Sequence, residues 1–495
     1  MWNPIGFPHG PVNDEGIYLR RAMNVIEGHG PQESSPLYYD HPYFLQIFVA
    51  SVLEVIGYPE SLHPIADDVR SIESLYLVPR ILMGILAIID TFLIYKIAEF
   101  RYNNRNIASV ASVLFAVMPI TFPIRWVLLE SIQLPFLLLS ILLAVRKSKW
   151  QQQQPTHFLN SKEKGKHPVV TTLISGIFLG LSIFIKIPAF TMIPLAAFLI
   201  FANRNSNRRL KLLALWLVPV ITIPLIWPVY ATFSLGQFDE WWNGIYLQTH
   251  RTDNNTFFYS VDYDFKIDPV FVILGIMGLA FAAIKREIFI LLWVIPLVVF
   301  LYGIRFVSFY HLIPIIPALC IAASVLIINL SSEISRYKIK HKMITSSLPI
   351  IFISAIVIFG FSNTTAMIVT SNNSPYFETL SFIIQYLQDT ENKGNGGTQR
   401  VSIVSNPFYL WIPKYVFNLD DDYIGYYDSK MPIKNDKVLA VLDQGFIDRL
   451  KNNQAGEQIQ KINKYSSHTI SKIATLGQQP NQTDYVYIYE YRLTK

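Results

Sequence analysis

The sequence has little charge and almost no cysteine. Charged residues make up 15% of its 495 residues and hydrophobic residues 52%, whereas a soluble globular domain carries about 25% charged residues. The one cysteine, Cys320, lies inside an apolar run, so neither a disulfide framework nor a cysteine metal cluster is available to the chain. The composition therefore favours a protein of the lipid bilayer.

Several motifs of soluble enzymes are also missing. The sequence has no P-loop, no glycine-rich dinucleotide fingerprint, no HExxH zinc helix and no GxSxG elbow. Its formal net charge of +6 could indicate an anionic partner, but in a membrane protein the position of the basic residues matters more than their sum. We predict no nucleic-acid partner and place the chemistry among polar groups at the membrane borders.

Ten apolar runs are candidates for membrane crossings. Six are long enough for a hydrocarbon core of about 30 Å, which takes ~20 helical residues, and four shorter ones are set off by charges or proline. We therefore predict a polytopic α-helical membrane protein with about ten spans. The runs cover residues 75–98, 107–123, 127–145, 169–187, 188–202, 210–233, 269–284, 287–304, 309–330 and 344–369.

The basic residues indicate how these spans are oriented. If all ten runs cross, five basic loops fall on one side, and the positive-inside rule makes that side cytoplasmic. The extracytoplasmic side then receives residues 1–74, the turn at 121–126, the loop 234–268 and everything after about residue 371. The basic loops contain Arg101 and Arg105, residues 146–166, residues 204–209, Lys285 and Arg286, and residues 336–342.

Two further segments complete the predicted organisation. The run 43–58 is short for a span and lies between Pro42 and Pro59, so we interpret it as an interfacial helix on the outer side. After about residue 375 the pattern predicts a small soluble domain, with helices at 376–388 and 447–462 and strands at 400–405, 437–442 and 485–491. The predicted domains are thus an outer first loop (1–74), a transmembrane domain (75–370) and an extracytoplasmic α/β domain (371–495).

An acidic pair is the first candidate for chemistry. Asp14 and Glu15 open an amphipathic helix that also carries Tyr18, Arg20 and Arg21. Carboxylates in a first helical turn often serve only as caps, because they interact with the exposed amides and the helix dipole. A cap needs one carboxylate rather than two, so capping and general-base catalysis both stay open.

Two more candidates lie at the starts of apolar segments. His41 precedes Pro42, where it is either a turn residue or part of a site. Arg125 marks a membrane border, and Glu130 follows five residues later inside the next span. A glutamate within a span indicates a polar cavity or a buried partner, and we favour a functional cavity over a purely structural ion pair with an arginine of another helix.

Four cationic residues stand at outer span ends: Lys186, Arg251, Arg305 and His311. Lysine and arginine side chains at a membrane border often only extend to the lipid headgroups. A phosphate-bearing ligand, however, would require a cluster of cations like these. Asp90 lies well inside the first span, and we predict that a tyrosine or an arginine such as Arg80 is its partner, with no role in chemistry.

These motifs resemble those of the GT-C glycosyltransferases of family 39. The stretch Arg125-Trp-Val-Leu-Leu-Glu130-Ser131 is similar to the Arg-Phe-Ile-Leu-Leu-Asp-Ser stretch of protein O-mannosyltransferases, and the pair Asp14-Glu15 is similar to their acidic pair. Bacterial aminoarabinose transferases share the architecture, including the soluble domain. The chain lacks the Trp-Trp-Asp-Tyr-Gly motif of oligosaccharyltransferases. It also departs from the family in having no span ahead of the acidic pair, so we expect that it begins one span late.

The resemblance implies an inverting transfer from a polyprenyl-phosphate sugar donor to a hydroxyl of a protein, lipid or glycan acceptor. It implies Asp14 as base, Glu15 as an orienting group and Arg125 as a support for the catalytic carboxylates, with Glu130 as the second acid. The remaining predicted roles are phosphate binding by Lys186, Arg251, Arg305 and His311, and site lining by His41 and Tyr18. No obligatory metal is predicted, although a divalent ion is possible.

Two other classes of protein remain as alternatives. A secondary transporter also has many spans and buried charges, but its repeats and midplane breaks have no counterpart that we find in this sequence. A membrane scaffold that binds a surface polymer through residues 371–495 would need no catalytic residues at all.

Overall fold

A computed structural model of the chain shows two compact units. The first comprises Met1–Phe7, Gln32–Leu45 and Leu82–Val369, and the second Pro8–Pro31, Gln46–Ile81 and Thr370–Lys495. The structure describes residues 13–32, 39–145, 166–202, 209–250, 256–304, 306–336, 342–369, 375–393, 400–406, 409–419, 422–425, 435, 437–443, 446–447, 470–476 and 486–492.

Each of the ten predicted apolar runs is helical, and so is the predicted interfacial segment. The helices are α1 (Asn13–Ile26), α2 (Phe44–Val55), α3 (Val69–Tyr102), α4 (Arg105–Val117), α5 (Leu129–Val145), α6 (Lys166–Ile185), α7 (Ile193–Ala202), α8 (Arg209–Thr222), α9 (Ile226–Val229), α10 (Phe238–Thr249), α11 (Phe257–Ile267), α12 (Pro269–Ile284), α13 (Ile288–Gly303), α14 (Ile316–Arg336), α15 (Lys342–Val369) and α16 (Pro375–Lys393).

By length and composition, three helical segments of the described chain can each cross a membrane: Val69–Tyr102, Phe309–Glu333 and Ile351–Ile368. The number rises to six if each of three bent helix pairs is one span. The other predicted runs form apolar helices of 10–17 residues. The predicted spans are therefore present as apolar helices, but several are shorter or more strongly bent than the sequence pattern suggests.

Polar side chains and prolines mark the helix ends. Asn104 caps α4 by accepting hydrogen bonds from two backbone N–H groups, and Thr256 caps α11 by accepting from Tyr259. Asp268 caps α12, next to Pro269 at that helix's first position. Proline suits the first turn of a helix because a backbone N–H at that position would have no partner within the helix. The bend between α11 and α12, 119°, follows this cap.

Three short 3₁₀ segments in the first unit share one position in the chain. Pro119–Arg125 connects α4 to α5, Ile187–Met192 connects α6 to α7, and Phe309–Ile315 leads from α13 into α14. Each connects two apolar helices at the ends opposite to the predicted basic loops. The prolines within these segments interrupt regular α-helix. Each pair of α-helices is therefore joined by a 3₁₀ segment, which we call a tip.

The helices of the first unit approach closely at glycines. A Cβ atom on Gly180 of α6 would lie 2.5 Å from the Pro219 carbonyl oxygen of α8, and one on Gly278 of α12 would lie 2.6 Å from the Ala322 carbonyl carbon of α14. Small residues allow such close packing between membrane helices, where van der Waals contact replaces the hydrophobic effect as the driving force.

The second unit contains a five-stranded sheet with the order β2-β1-β3-β5-β4. Its strands are β1 (Ser402–Ser405), β2 (Asp422–Gly425), β3 (Lys437–Leu442), β4 (Ile470–Leu476) and β5 (Val486–Arg492). β1 is parallel to β2 and β3, and β5 is antiparallel to β3 and β4.

The structure confirms three predicted strands and the predicted helix, which is α16. β2 and β4 were not predicted. The predicted helix 447–462 lies outside the described residues apart from its first position.

The predicted outer loop 234–268 contains α10 and α11. Gly244 of α10 packs on the Tyr39 backbone so closely that a Cβ atom would lie 2.2 Å from the Tyr39 carbonyl oxygen. The Tyr39 hydroxyl donates to Gln237 Oε1 at 2.7 Å, and burial raises the pKa of Tyr39 to about 12, with Glu240 adding to the rise. The hydroxyl therefore keeps its proton at neutral pH and holds α10 in place.

The close contact between Gly278 of α12 and α14 gives a test of the helix packing. Gly278→Ala should destabilise the protein by about 1–3 kcal/mol, the usual cost of overpacking, because the new methyl group meets backbone atoms of α14 that cannot move aside. Gly84→Ala in α3 is the matched control, since nothing lies within 4 Å of its added Cβ atom. Thermal unfolding in detergent measures both variants. Equal melting temperatures for the two would contradict this account of the helix contact.

Candidate functional site

The three 3₁₀ tips bring candidate site residues together in the first unit. Lys186 immediately precedes the second tip, and Glu130 lies in the first turn of α5, just after the first tip. Trp126 contacts Phe309 of the third tip edge to face, with 6.5 Å between the ring centroids. The Lys186 ammonium lies 5.3 Å from the Tyr310 ring centroid. Residues far apart in the sequence therefore share one end of this unit.

A buried ion pair joins two of the candidates. Lys186 Nζ donates to Glu130 Oε1, and the two side chains are 6% and 2% exposed. Each charge compensates the desolvation of the other, because removal of either partner would leave an unpaired charge in an apolar environment. The predicted structural ion pair of Glu130 thus exists, and its partner is a lysine rather than the arginine that the sequence suggested.

Gln133 fixes the chain beside this ion pair. Its Nε2 donates to the Lys186 carbonyl oxygen at 2.8 Å and to the Ser182 carbonyl oxygen at 3.1 Å. Ser182 lies in the last turn of α6 and Lys186 follows that helix directly, and each carbonyl also accepts a backbone N–H, from Lys186 and Ala189 respectively. One side chain of α5 thereby adds a second donor to both carbonyls and aligns the residue that carries the ammonium. The sequence analysis did not identify Gln133, although a glutamine inside an apolar run is a signal of this kind.

Arg125 ends the first tip and is half-buried. Its guanidinium lies 5.9 Å from the Phe122 ring centroid, a distance at which cation and ring attract each other. The start of the same tip is held from α12, because the Ile120 N–H donates to Asp268 Oδ2 at 3.5 Å. The conformation of this tip therefore depends on a buried acid that the sequence analysis did not single out.

His311 stabilises the third tip through its own backbone. The Ser308 N–H donates to His311 Nδ1 at 2.9 Å, and the Ser308 side chain caps the tip in return. Because Nδ1 accepts this hydrogen bond, the proton of the neutral ring lies on Nε2. The same tip is held by Trp293 of α13, whose Nε1 donates to the Pro314 carbonyl oxygen at 3.0 Å.

His41 lies in the first unit, in a half-buried turn. Its backbone N–H donates to Asp40 Oδ1 at 2.9 Å. Tyr43, two residues later, packs edge to face on Phe184 near the end of α6, with centroids 5.1 Å apart. This segment therefore lies close to the chain segment that carries Lys186.

The acidic pair lies in the second unit, in the first turn of α1. Glu15 is fully buried, and Arg80 of α3 holds both of its oxygens, with Nε donating at 2.9 Å and a terminal nitrogen at 2.6 Å. Asp14 is half-buried, and Tyr18 lies buried one turn along. Bidentate pairing uses the full fork of the guanidinium, so Glu15 fixes the start of α1 to α3.

Aromatic hydroxyls extend this arrangement within the second unit. The Arg80 guanidinium lies 5.9 Å from the Tyr76 ring centroid. The Tyr76 hydroxyl bonds the Tyr376 hydroxyl of α16 at 2.6 Å and accepts from Trp411 Nε1 at 2.8 Å. Burial raises the pKa of Tyr376 well above that of tyrosine in water, so this contact is between neutral hydroxyls.

The predicted partner of Asp90 is wrong. Arg80 pairs with Glu15, and both carboxylate oxygens of Asp90 are buried without a hydrogen-bond partner among the described residues. Ten helical residues separate Arg80 from Asp90, about 15 Å along α3, which is too far for a direct ion pair between them. Of the remaining predicted site residues, Arg251 and Arg305 lie outside the described residues.

The described part of the chain contains no group of three or more His, Cys, Asp or Glu side chains that could hold a metal ion.

Comparison with known proteins finds solved structures that are similar to this architecture. No protein-family model matches the sequence, and neither does any curated protein. The structure is similar to ArnT from Cupriavidus metallidurans bound to undecaprenyl phosphate, with a TM-score of 0.55, 13% identity, and coverage of 97% of this chain and 93% of that one.

The structure is also similar to an oligosaccharyltransferase of Archaeoglobus fulgidus tethered to an acceptor peptide, with a TM-score of 0.54 and 12% identity. This match covers 88% of the present chain but only 65% of the oligosaccharyltransferase. A further match is the AglB oligosaccharyltransferase from the same organism with an inhibitory peptide and dolichol-phosphate, with a TM-score of 0.50 and 12% identity.

These similar structures are GT-C glycosyltransferases. The chain therefore has the GT-C fold, as its motifs predicted, and it is a multi-pass α-helical membrane protein with a small α/β domain near its carboxyl terminus.

The buried ion pair gives a stability test that is independent of any activity. Lys186→Met should destabilise the protein by about 3–5 kcal/mol, because Glu130 would keep a buried charge without its partner. The double variant Glu130→Gln/Lys186→Met should recover most of this loss. Denaturant unfolding in mixed micelles measures both.

Lys266→Met is the control for this test, since it removes the exposed partner of Asp262 and should change stability little. A double variant as unstable as Lys186→Met alone would contradict the interpretation of the pair as mutual charge compensation.

Proposed function

We propose that this chain is a membrane glycosyltransferase that moves a sugar from a polyprenyl-phosphate donor to a hydroxyl acceptor on the extracytoplasmic face. The observation that carries the proposal is the structural similarity over 97% of the chain to a transferase bound to undecaprenyl phosphate. The dolichol-phosphate in a second similar structure supports the same class of donor.

The proposed reaction is a single inverting displacement. The acceptor oxygen attacks the anomeric carbon of the donor sugar, and the bond between that carbon and the phosphate oxygen breaks. The acceptor hydroxyl gives its proton to a carboxylate, and polyprenyl phosphate leaves with the electron pair of the broken bond. The protein must therefore supply one base and a cationic environment for the leaving phosphate.

Asp14 is the proposed base. Glu15 is a poor candidate, because both of its oxygens already accept hydrogen bonds from Arg80. The same contact fixes the first turn of α1, so the neighbouring carboxylate of Asp14 is presented from a rigid backbone. In this proposal Glu15 positions α1, and Tyr18, one turn along, lines the acceptor side.

The phosphate is proposed to bind at the tips of the first unit. The charge of Lys186 is already balanced by Glu130, so the net positive charge there must come from other groups. Arg125 ends the first tip, and His311, whose Nδ1 accepts from the Ser308 N–H, is proposed to donate to a phosphate oxygen through Nε2. Arg305 and Arg251 are the remaining proposed cations. In this proposal Lys186 stabilises the developing charge, and Arg125 also supports the catalytic carboxylates.

The extracytoplasmic orientation is supported by the chain order. The three tips stand at the helix ends opposite to the basic loops, and basic loops face the cytoplasm. His41 is proposed to line the same site, through the contact of its turn with the end of α6. No obligatory metal is proposed, and transfer should therefore persist in the presence of a chelator. The acceptor hydroxyl belongs to a protein, a lipid or a glycan.

Sugar transfer by reconstituted protein tests the proposal. With radiolabelled polyprenyl-phosphate hexose and a cell-envelope extract as acceptor, the wild type should move label out of the lipid fraction. Asp14→Asn keeps the shape of the side chain but removes the base, so its turnover should fall by about 10²–10⁴-fold, with little change in the melting temperature.

Asp67→Asn is the matched control, because Asp67 is exposed in a turn of the same unit, and its turnover should equal that of the wild type. Undiminished transfer by Asp14→Asn would remove Asp14 from the mechanism. A folded wild type that transfers no sugar from any polyprenyl-phosphate donor would instead favour the transporter or scaffold alternative.

A further inference from the structure

Helix α10 has an exposed aromatic stripe that the proposed reaction does not use. Phe238, Trp242 and Tyr246 are spaced four residues apart and are 48%, 56% and 53% exposed. Side chains at this spacing lie above one another on one face of a helix. A soluble helix would normally bury such residues, so this face must have a partner.

The opposite face of α10 is already occupied by the first unit. Gly244 packs against the Tyr39 backbone, and Trp241 packs edge to face on Trp227 of α9, with ring centroids 5.8 Å apart. These contacts determine the rotation of α10 about its own axis. The aromatic stripe therefore faces away from the protein because of packing elsewhere on the helix.

The composition around the exposed arc changes from aromatic to polar. Beside the stripe lie Asp239 and Asn243, which are also exposed and are displaced from Phe238 and Trp242 by one residue, or about 100° around the helix. The same line continues to Leu247, which is 54% exposed, so the polar part of the surface is confined to the first two turns of α10, beside Phe238 and Trp242. This division is typical of a helix that lies in the plane of a membrane interface.

The position of α10 in the chain supports the same partner. The bent pair formed by Arg209–Thr222 and Ile226–Ser234 is a candidate span, and α10 begins four residues after it ends. Exposed apolar side chains continue along that span to Phe233, which is 83% exposed, and then to Leu235. The surface that would contact lipid in the span thus continues directly into the aromatic stripe.

A second exposed aromatic group lies elsewhere in the first unit. Phe258 of α11 and Tyr302 of α13 contact each other with centroids 6.1 Å apart, and both are 67% exposed. Tyrosine and tryptophan prefer the headgroup layer, because their rings are apolar while their hydroxyl and indole N–H groups still reach water.

We propose that the aromatic stripe of α10 (Phe238, Trp242 and Tyr246) lies in the headgroup layer of the bilayer and holds α10 on the membrane surface. The partner is a lipid surface rather than a protein, because the stripe continues the lipid-facing surface of a span and is bordered by a polar strip. This inference concerns membrane placement and does not depend on the proposed transferase activity.

Site-directed spin labelling tests the proposal on the full-length protein. Cys320 is the chain's only cysteine, so Cys320→Ala provides a cysteine-free background. A nitroxide is placed at Trp242→Cys, and at Asn243→Cys as the neighbouring control. The protein is reconstituted into vesicles of phosphatidylethanolamine and phosphatidylglycerol. Power saturation then compares the access of oxygen, which concentrates in lipid, with that of a water-soluble nickel chelate.

The label at position 242 should be more accessible to oxygen than to the nickel chelate, and the label at position 243 should show the reverse. Tyr246→Cys provides a second position on the stripe if the label at 242 perturbs folding, which circular dichroism reports. Preferential nickel access at both stripe positions would overturn the proposal. Protection of the stripe from both reagents would also overturn it, because it would show that protein covers this face.

Discussion

The ion pair between Glu130 and Lys186 is the interaction on which the site end of the first unit depends. It joins the start of α5 to the end of α6, at a level where both helices give way to proline-containing 3₁₀ turns. Irregular backbone in a membrane protein persists only where the protein itself satisfies its polar groups. Gln133, Asp268, Ser308 and Trp293 do so for the three tips. The charge pair and these hydrogen bonds together allow functional groups to project from turns rather than from helix faces.

The second unit also contains buried charged and polar groups, and a different set of residues satisfies them. Arg80 lies in a long apolar helix, and its charge is compensated by Glu15. The hydroxyl of Tyr76, one turn away, then connects α3 to α16 and to Trp411. A continuous series of buried polar contacts thus runs from α1 to the neighbourhood of the sheet. Two adjacent carboxylates consequently have unequal surroundings: Glu15 is fully buried against Arg80, whereas Asp14 is half-buried.

Apolar periodicity and charge predicted the helices well, because both follow from the thickness and polarity of the bilayer. The cost of placing polar groups in the bilayer made Arg125, Glu130, Lys186 and His311 candidates, since polar groups at span ends are conspicuous. The acidic pair became a candidate because it opens an amphipathic helix. The partners in ion pairs and side-chain hydrogen bonds were harder to predict from the sequence. Arg80 was one of the partners suggested for Asp90, but it pairs with Glu15, 65 residues away in the sequence. The roles of Gln133 and Asp268 depend on which backbone groups the bends leave exposed, and no local pattern encodes that.

The exposed face of α3 shows how much the sequence of such a fold can vary. Ile81, Ile85, Ile88 and Phe92 are all more than half exposed, and in a bilayer they would contact acyl chains. Lipid selects for apolar character and is nearly indifferent to side-chain shape, so many residues would serve equally well at each of these positions. The close helix contacts at Gly180 and Gly278 allow almost no alternatives. The lipid-facing positions of such a fold are therefore free to vary, and similarity of fold is compatible with 13% identity.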